Sequence, residues 1–526
     1  ERVEGYTNFL WVVLLAAGTW LTDFRPHWIA LVAGLASFAA NVAVVARVGA
    51  TLHRGVPGWL PVAAVLLALH TTFLAFATTG LETMFASLLV DLGLLALLGA
   101  RPAAASTLLL LATMTRPDHA LFWGAGLLAV ASGPAPRRAL LRYAVPLVPY
   151  AGYLAAKYAY YGSLLPNSYY VRAADEEHVQ QGLAYGLTFL LGSHAWLLLA
   201  GFVASLALPA TTDAERAFRR FAAVAVPLWV AYVTWVGGDY IYGRFYVVLL
   251  PILALGAERA VHALRGRSAW GAAALGGLLV ASAWGLPLLA PREVRWGIAD
   301  EPAGTDHTWR VLFEGDERRL STARYAFQEL VDARVPVAVE GTGGFAYRTR
   351  VRVVEACGLV DPDIADRARA EGAMAGHEKC LTRDDLLDAG VRLSFTRSVF
   401  SMGPSPGIPT VDGRPIDELC DDLACIHILA WDADLMRRID AGTDGVRFVD
   451  VEAWLDAWLA RLPTMDPAEV RRDWPFLHEY YFRLNDDPAR LARVKAALGD
   501  APLPPTPTGA GLDGMSGFRE RLQEGR

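Results

Sequence analysis

Four stretches of an otherwise apolar sequence carry residue types that can do chemistry. Thr79-Gly80-Leu81-Glu82 brings a carboxylate to a turn. Arg116-Pro117-Asp118-His119 sets a guanidinium, a carboxylate and an imidazole almost side by side. A third stretch, from Tyr161 to Tyr170, contains Pro166, Asn167, Tyr169 and Tyr170, with Lys157 shortly before it. The fourth is Gly237-Gly238-Asp239-Tyr240-Ile241-Tyr242-Gly243-Arg244. Transfer of a sugar from a lipid phosphate would use such a set. Cations hold the phosphate that leaves with its charge. A carboxylate takes the proton of the acceptor hydroxyl. Tyrosines and amides hold sugar rings. Arg116, Arg244 and, less directly, Lys157 fit the first role. Glu82, Asp118 and Asp239 fit the second, or position the donor. Asn167, Tyr169 and Tyr170 fit the third.

Plainer readings stand beside these. Arg116 with Asp118, and Asp239 with Arg244, have the spacing of ion pairs that tie helix ends. Glu82 suits the first turn of a helix, where the dipole favours an acid. Lys157 can lay its stem in apolar surroundings and reach the interface. His70 and His194 sit in apolar runs and suit structural positions. Asp91 lies mid-span, where it needs a polar group from another helix.

Helices must carry these turns. The chain has 526 residues, too many for one core, and the 54% hydrophobic and 19% charged composition averages two unlike parts. Charges are sparse to about Ala290, and from Pro291 the composition is that of an ordinary soluble domain. The net charge of -6 gives no sign of a nucleic-acid partner. A span takes roughly 20 apolar residues. Runs of that kind fall at about 28–49, 59–79, 81–100, 142–161, 183–209, 219–236, 242–262 and 269–290. Shorter runs at about 103–115 and 118–132 read as two short helices meeting at the polar break of Arg116-Pro117-Asp118. Segment 7–22 is either a span or a helix lying at the interface.

Arginine placement orients this map of about ten spans. Arg47, Arg54, Arg101, Arg137, Arg138, Arg142, Arg216, Arg219, Arg220, Arg265 and Arg267 fall on one side. Only Arg25, Arg116, Arg172 and Arg244 fall on the other. The arginine-rich side is then cytoplasmic, and all four polar stretches face outward with the C-terminal domain.

In the second half, Val335–Glu340, Arg350–Val354 and Val391–Phe395 read as strands. Thr322–Ala333, Thr382–Ala389 and Val451–Leu462 read as helices, which together predicts an α/β domain. Ser401–Pro409 and Leu503–Gly514 read as loops. Cys357, Cys380, Cys420 and Cys425 are an even set that suits an oxidising compartment, or four unrelated thiols. This half shows no metal-ligand spacing and no phosphate-binding glycine loop.

Several motifs in order resemble the GT-C polyprenyl-phosphate-sugar glycosyltransferases, in particular mycobacterial terminal β-arabinofuranosyltransferases. They are Glu1 to Trp11, Thr79 to Thr83, Thr115-Arg-Pro-Asp118, Tyr161 to Tyr169, and Gly237-Gly-Asp239 with Gly243-Arg-Phe245. Val337 to Gly344, Val354 to Asp361 and Gly376-His377-Glu378-Lys379 resemble that group's outer domain. The likeness reaches to about Phe395. It implies a transmembrane domain over 1–290 and an extracytoplasmic domain over 291–526, in a bacterial plasma membrane. It implies transfer from a polyprenyl-phosphate sugar to a cell-envelope glycan, lipid or protein. In that family the catalytic aspartate follows a first helix and shortly precedes the stretch matching Glu1–Trp11. The resemblance therefore predicts a member truncated at its N-terminus, lacking one span and its base. Glu82 inherits an organising role, Arg116 and Arg244 phosphate contacts, and His377, Glu378 and Lys379 a place near the acceptor or in a turn with solvated charges. A nucleotide is not needed, and a divalent cation is compatible, as some GT-C enzymes use one, although the sequence shows no ligand set for it. The competing readings are a lipid-linked substrate transporter, which predicts repeats and polar groups across the midplane, and a non-catalytic scaffold.

Overall fold

The computed structural model describes residues 2–22, 25–172, 178–239, 241–284, 334–339, 346, 350–363, 369–370, 379–394, 407–411, 414–415, 427–442, 446–477, 482 and 487–498. The chain divides into two compact units, Glu1–Phe313 with Ala373–Gly376, and Glu314–Gly372 with His377–Arg526.

In the first unit the apolar runs are helical, as they must be where no water satisfies the backbone. Pro26–Leu52, Asp213–Trp235 and Val247–Arg265 are long and apolar enough to cross a membrane. Phe9–Thr22, Thr83–Leu98, Pro102–Thr115 and Ala269–Trp284 are shorter apolar helices. Three predicted continuous runs are broken. Run 59–79 forms Val62–Leu69 and Thr71–Ala75, with His70 between them accepting at Nδ1 from Phe73 N. Run 142–161 divides between Pro136–Ala144 and Leu147–Tyr161, around Val145 and Pro146. Run 183–209 forms Val179–Gly192 and Ala195–Leu206, bent by 94° at Ser193 and His194. His194 there adopts a left-handed backbone, φ 55°, which no continuous helix tolerates. Hydropathy reads composition and misses such bends. The predicted pair of short helices does occur, as Pro102–Thr115 and Ala120–Ala131 around Arg116 to His119.

Side chains fix the helices to one another. Buried Asn41 donates to Ser37 O and Met84 O at 2.9 Å each, tying Pro26–Leu52 to Thr83–Leu98. Trp229 Nε1 donates to Phe245 O at 2.6 Å, and Tyr185 Oη donates to Ile241 O at 2.9 Å. These bonds hold the loop from Gly237 to Phe245 against two helices. The loop needs its glycines: Gly237, Gly238 and Gly243 have φ of 84°, 83° and 71°. A Cβ at Gly238 would lie 2.4 Å from the Tyr185 ring. Asp91 does not find the expected polar neighbour. Both its carboxylate oxygens are buried without a hydrogen-bond partner among the described residues.

In the second unit Pro336–Val339 pairs in parallel with Arg352–Glu355 and with Leu393–Ser394. Leu393–Ser394 pairs antiparallel with His427–Ile428. Gly407–Val411 lies antiparallel to Arg414–Pro415 and Val446–Asp450, so the loop expected over 401–409 gives way to a strand at Gly407. Its β-branched Ile408, Thr410 and Val411 suit that strand, against the local Pro and Gly signal. Helices Arg383–Asp388 and Val451–Arg461 match two predicted helices. Predicted elements at 322–333 and 503–514 lie outside the described residues.

Candidate active site

Glu82 ends the turn that begins at Gly80, whose φ of 75° reverses the chain just before helix Thr83–Leu98. The carboxylate is buried, at 1% exposure, and it is the hub of an ionic network. Its Oε1 accepts from Arg116 Nη1 at 3.1 Å and from Arg244 Nη2 at 2.9 Å. Arg116 also donates through Nε and Nη2 to Asp118, at 3.2 and 2.7 Å. Arg244 Nη1 donates to Asp239 Oδ2 at 3.2 Å. The two ion pairs suggested by sequence spacing therefore both exist, and Glu82 joins them. Residues 34 and 162 positions away in sequence meet on one carboxylate oxygen.

Neighbouring groups hold the network in place. Asp118 Oδ1 lies 2.8 Å from His119 Nδ1, and Phe245 lies under Arg116, 4.8 Å from ring centre to guanidinium carbon. Phe245 is also the residue whose carbonyl Trp229 holds. A small cavity opens beside the network, lined by Thr83, Arg116, His119, Trp229, Arg244, Phe245 and Val248. At about 10 Å³ it admits one water molecule, not a sugar ring. Three polar atoms on its lining residues are buried without partners among the described residues: Thr83 Oγ1, His119 Nε2 and Arg244 Nε.

The other predicted residues fall elsewhere. Lys157 forms an ion pair with Glu4 at 2.7 Å, so its charge is committed. The backbone N–H of Asn167 donates to Glu4 O at 2.9 Å. Tyr169 and Tyr170 are exposed, with Tyr170 Oη 3.1 Å from Ser163 Oγ. The segment from Glu4 to Asn8 links this second group to the first, because Asn8 Nδ2 donates to Glu82 Oε2 at 3.1 Å. Glu4 and Asn8 were absent from the predicted site. Their signal was a polar run placed directly before an apolar helix. His377 and Glu378 lie outside the described residues, as does Tyr240. Lys379 sits in strand Lys379–Cys380 of the second unit. Among the described residues, the one His and acid group with metal-ligand spacing is His53, Glu258 and His262. It includes none of the acids around Glu82.

Apolar helices that converge on a buried arginine–carboxylate network define a helical membrane protein with a polar site at the helix ends. Comparison with curated proteins makes this more particular. The chain is 28% identical over 376 residues to the terminal β-(1→2)-arabinofuranosyltransferase of Mycobacterium tuberculosis, covering 61% of this chain and 58% of that protein. It is 29% identical over 299 residues to the protein of the same name from Corynebacterium glutamicum, covering 48% of this chain and 43% of that one. The chain thus spans about half the length of the curated relatives it matches, and it resembles mycobacterial-type arabinofuranosyltransferases. No family model matches, and no solved structure matches.

Proposed function

We propose that this protein is a GT-C glycosyltransferase that passes a sugar from a polyprenyl phosphate to a cell-envelope acceptor on the extracytoplasmic side. One observation carries the reading: Glu82 holds two arginines from distant turns at one place, in a chain similar to sugar transferases. Arginine suits this task because its planar fork binds phosphate through paired N–H groups.

The network as it stands is closed. Three carboxylates face two guanidiniums, so the anionic donor must displace an acid to enter. Arg244 is the residue poised for this. Its Nε has no partner among the described residues, and Asp239 holds it through a single 3.2 Å bond. In the proposed reaction phosphate oxygens replace Asp239 on Arg244. Asp239 is then released next to the reacting sugar, and Glu82 keeps both arginines in register. Electrostatic stabilisation of the departing phosphate supplies the main catalytic effect. Tyr169, Tyr170 and Asn167, on the neighbouring group, line the acceptor approach.

The arginine bias supports an outward-facing site. Cys357 in the second unit is disulfide-bonded, which suits an oxidising compartment and supports the same orientation. A cysteine placed at Ser401 is therefore expected to react with an impermeant maleimide added to intact cells. Labelling only after the cells are opened would reverse the orientation. The reaction itself is tested by incubating the purified full-length protein that contains this chain with a panel of polyprenyl-phosphate sugars and an envelope acceptor fraction. Transfer from at least one donor, with release of polyprenyl phosphate, is the expected result. Donor transport into vesicles without transfer would replace the enzyme with a transporter.

A further inference from the structure

A second polar cluster lies at the other end of the helices. Gly80, beside Glu82, packs near Ala30 at the start of Pro26–Leu52. His53 follows Ala30 by 23 residues along this helix, so at 1.5 Å per residue the far end is about 35 Å away. His53 caps this far end and is buried. Helix Leu250–Arg265 runs alongside and brings Glu258 and His262 to the same place. One ligand atom from each of the three residues lies within 4.8 Å of those of the other two. His53 Nε2 is 3.4 Å from Glu258 Oε1, and the two imidazole rings are 4.5 Å apart between centres.

The ring nitrogens are set for coordination. His262 Nε2 lies 3.1 Å from the carbonyl oxygen of Leu60, which can only accept, so Nε2 carries the proton. In the neutral ring its Nδ1 is then left with a bare lone pair. That Nδ1 is buried and has no hydrogen-bond partner among the described residues, and the same is true of His53 Nε2. Two such nitrogens beside a carboxylate are costly unless something fills the gap between them. Glu258 is held in turn. Its Oε1 accepts from Trp59 Nε1 at 3.0 Å and its Oε2 from Ala63 N at 2.8 Å. Gly49 leaves room for it, because a Cβ there would lie 2.6 Å from Oε1. A carbonyl fixing the imidazole tautomer, with donors aiming the carboxylate, is the arrangement that surrounds protein metal ligands.

We infer that His53, Glu258 and His262 form a binding site for a divalent transition metal of the zinc type, with water completing the shell. Two imidazoles and one carboxylate suit zinc, whose bonds of about 2.0–2.2 Å draw the three ligands inward. The ion links the end of Pro26–Leu52, the segment from Gly58 to Ala63, and helix Leu250–Arg265. The nearby cation Arg259 is offset by its partner Glu215, at 3.4 Å. The site lies at the end of the bundle that carries Arg47, Arg54, Arg265 and Arg267, so it is separate from the Glu82 network and independent of the proposed transfer reaction.

The test uses the whole purified protein, stripped with chelator and titrated with Zn2+ and Co2+. Expected are one tight equivalent, the visible absorption of low-coordinate Co2+, and a zinc X-ray absorption spectrum fitted by two imidazoles and oxygen. His53→Gln and His262→Gln are each expected to weaken binding at least roughly tenfold. Trp59→Phe keeps the ring and removes the donor to Glu258, and is expected to weaken binding roughly 10- to 100-fold. It also serves as the probe if a histidine variant fails to fold. Absence of tight binding in the wild type, sulfur in the zinc shell, or unchanged affinity in the variants that fold would overturn the site.

Discussion

In the full-length protein, replacing Glu82 with glutamine will abolish the proposed sugar transfer and lower thermal stability together. Glutamine keeps the shape but removes the charge shared by Arg116 and Arg244. Both arginines are nearly buried, with side-chain exposures of 11% and 16%, so water replaces little of what is lost. Removing one partner from a buried ionic group costs on the order of 3–5 kcal/mol. Asp118 and Asp239 remain and keep one contact on each arginine, which favours the lower part of that range. The glutamine side chain also presents an N–H₂ group where acceptors are needed. Melting in detergent checks stability, and single-turnover transfer checks activity. Unchanged transfer would remove Glu82 from the site. A lower melting point with normal transfer would leave it a structural residue.

Arg244→Ala carries the second large effect. This side chain bridges Glu82 and Asp239, and its Nε, at the small cavity, has no hydrogen-bond partner among the described residues. Its loss leaves Asp239 without the ion pair and takes one of two cations from the proposed phosphate site. Donor binding should fall roughly 100-fold, equivalent to about 3 kcal/mol for charge-assisted bonds to phosphate. Arg244→Lys separates charge from geometry. Lysine is a point charge and cannot span two carboxylates with fixed N–H groups. It should keep most of the stability and recover only part of the binding. Equilibrium binding of a non-transferable polyprenyl-phosphate analogue reads this directly. Donor affinity equal to wild type in the alanine variant would return Arg244 to a helix-tying role.

The small cavity bears on both variants. The space among Trp229 and Phe245 is water-sized, so in the proposed reaction the network opens to admit the donor. The weakest outer link is the natural place. Arg116 is bound to Asp118 through two N–H groups, whereas Arg244 meets Asp239 through one. Opening at Arg244 therefore breaks fewer bonds than opening at Arg116.

Much of this was legible from residue types. Scarce charges in an apolar chain must be grouped, because an isolated one at membrane depth is expensive. That reasoning selected Glu82, Arg116, Asp118, Asp239 and Arg244, and all five are in one network. The same reasoning grouped Lys157 with the arginines, but the nearer acid took it. Glu4 lies outside every apolar run, and hydropathy gives no reason to look for it beside Lys157. Helix breaks at His70 and His194 were hidden for a related reason. Their neighbours are apolar, and a bend made by backbone angles leaves composition unchanged.

The sequence by itself determined that apolar helices carry a few polar turns, since lipid and water sort residues by type wherever they stand in the chain. It also limited which side chains had enough charge to need partners. Only the tertiary structure decided who those partners are. His53 and Glu258 are 205 residues apart, and neither has a neighbour in sequence that hints at the other. Helix packing brings them within reach. Ionic and metal geometry depends on distances of a few ångströms in space, and linear order does not record these.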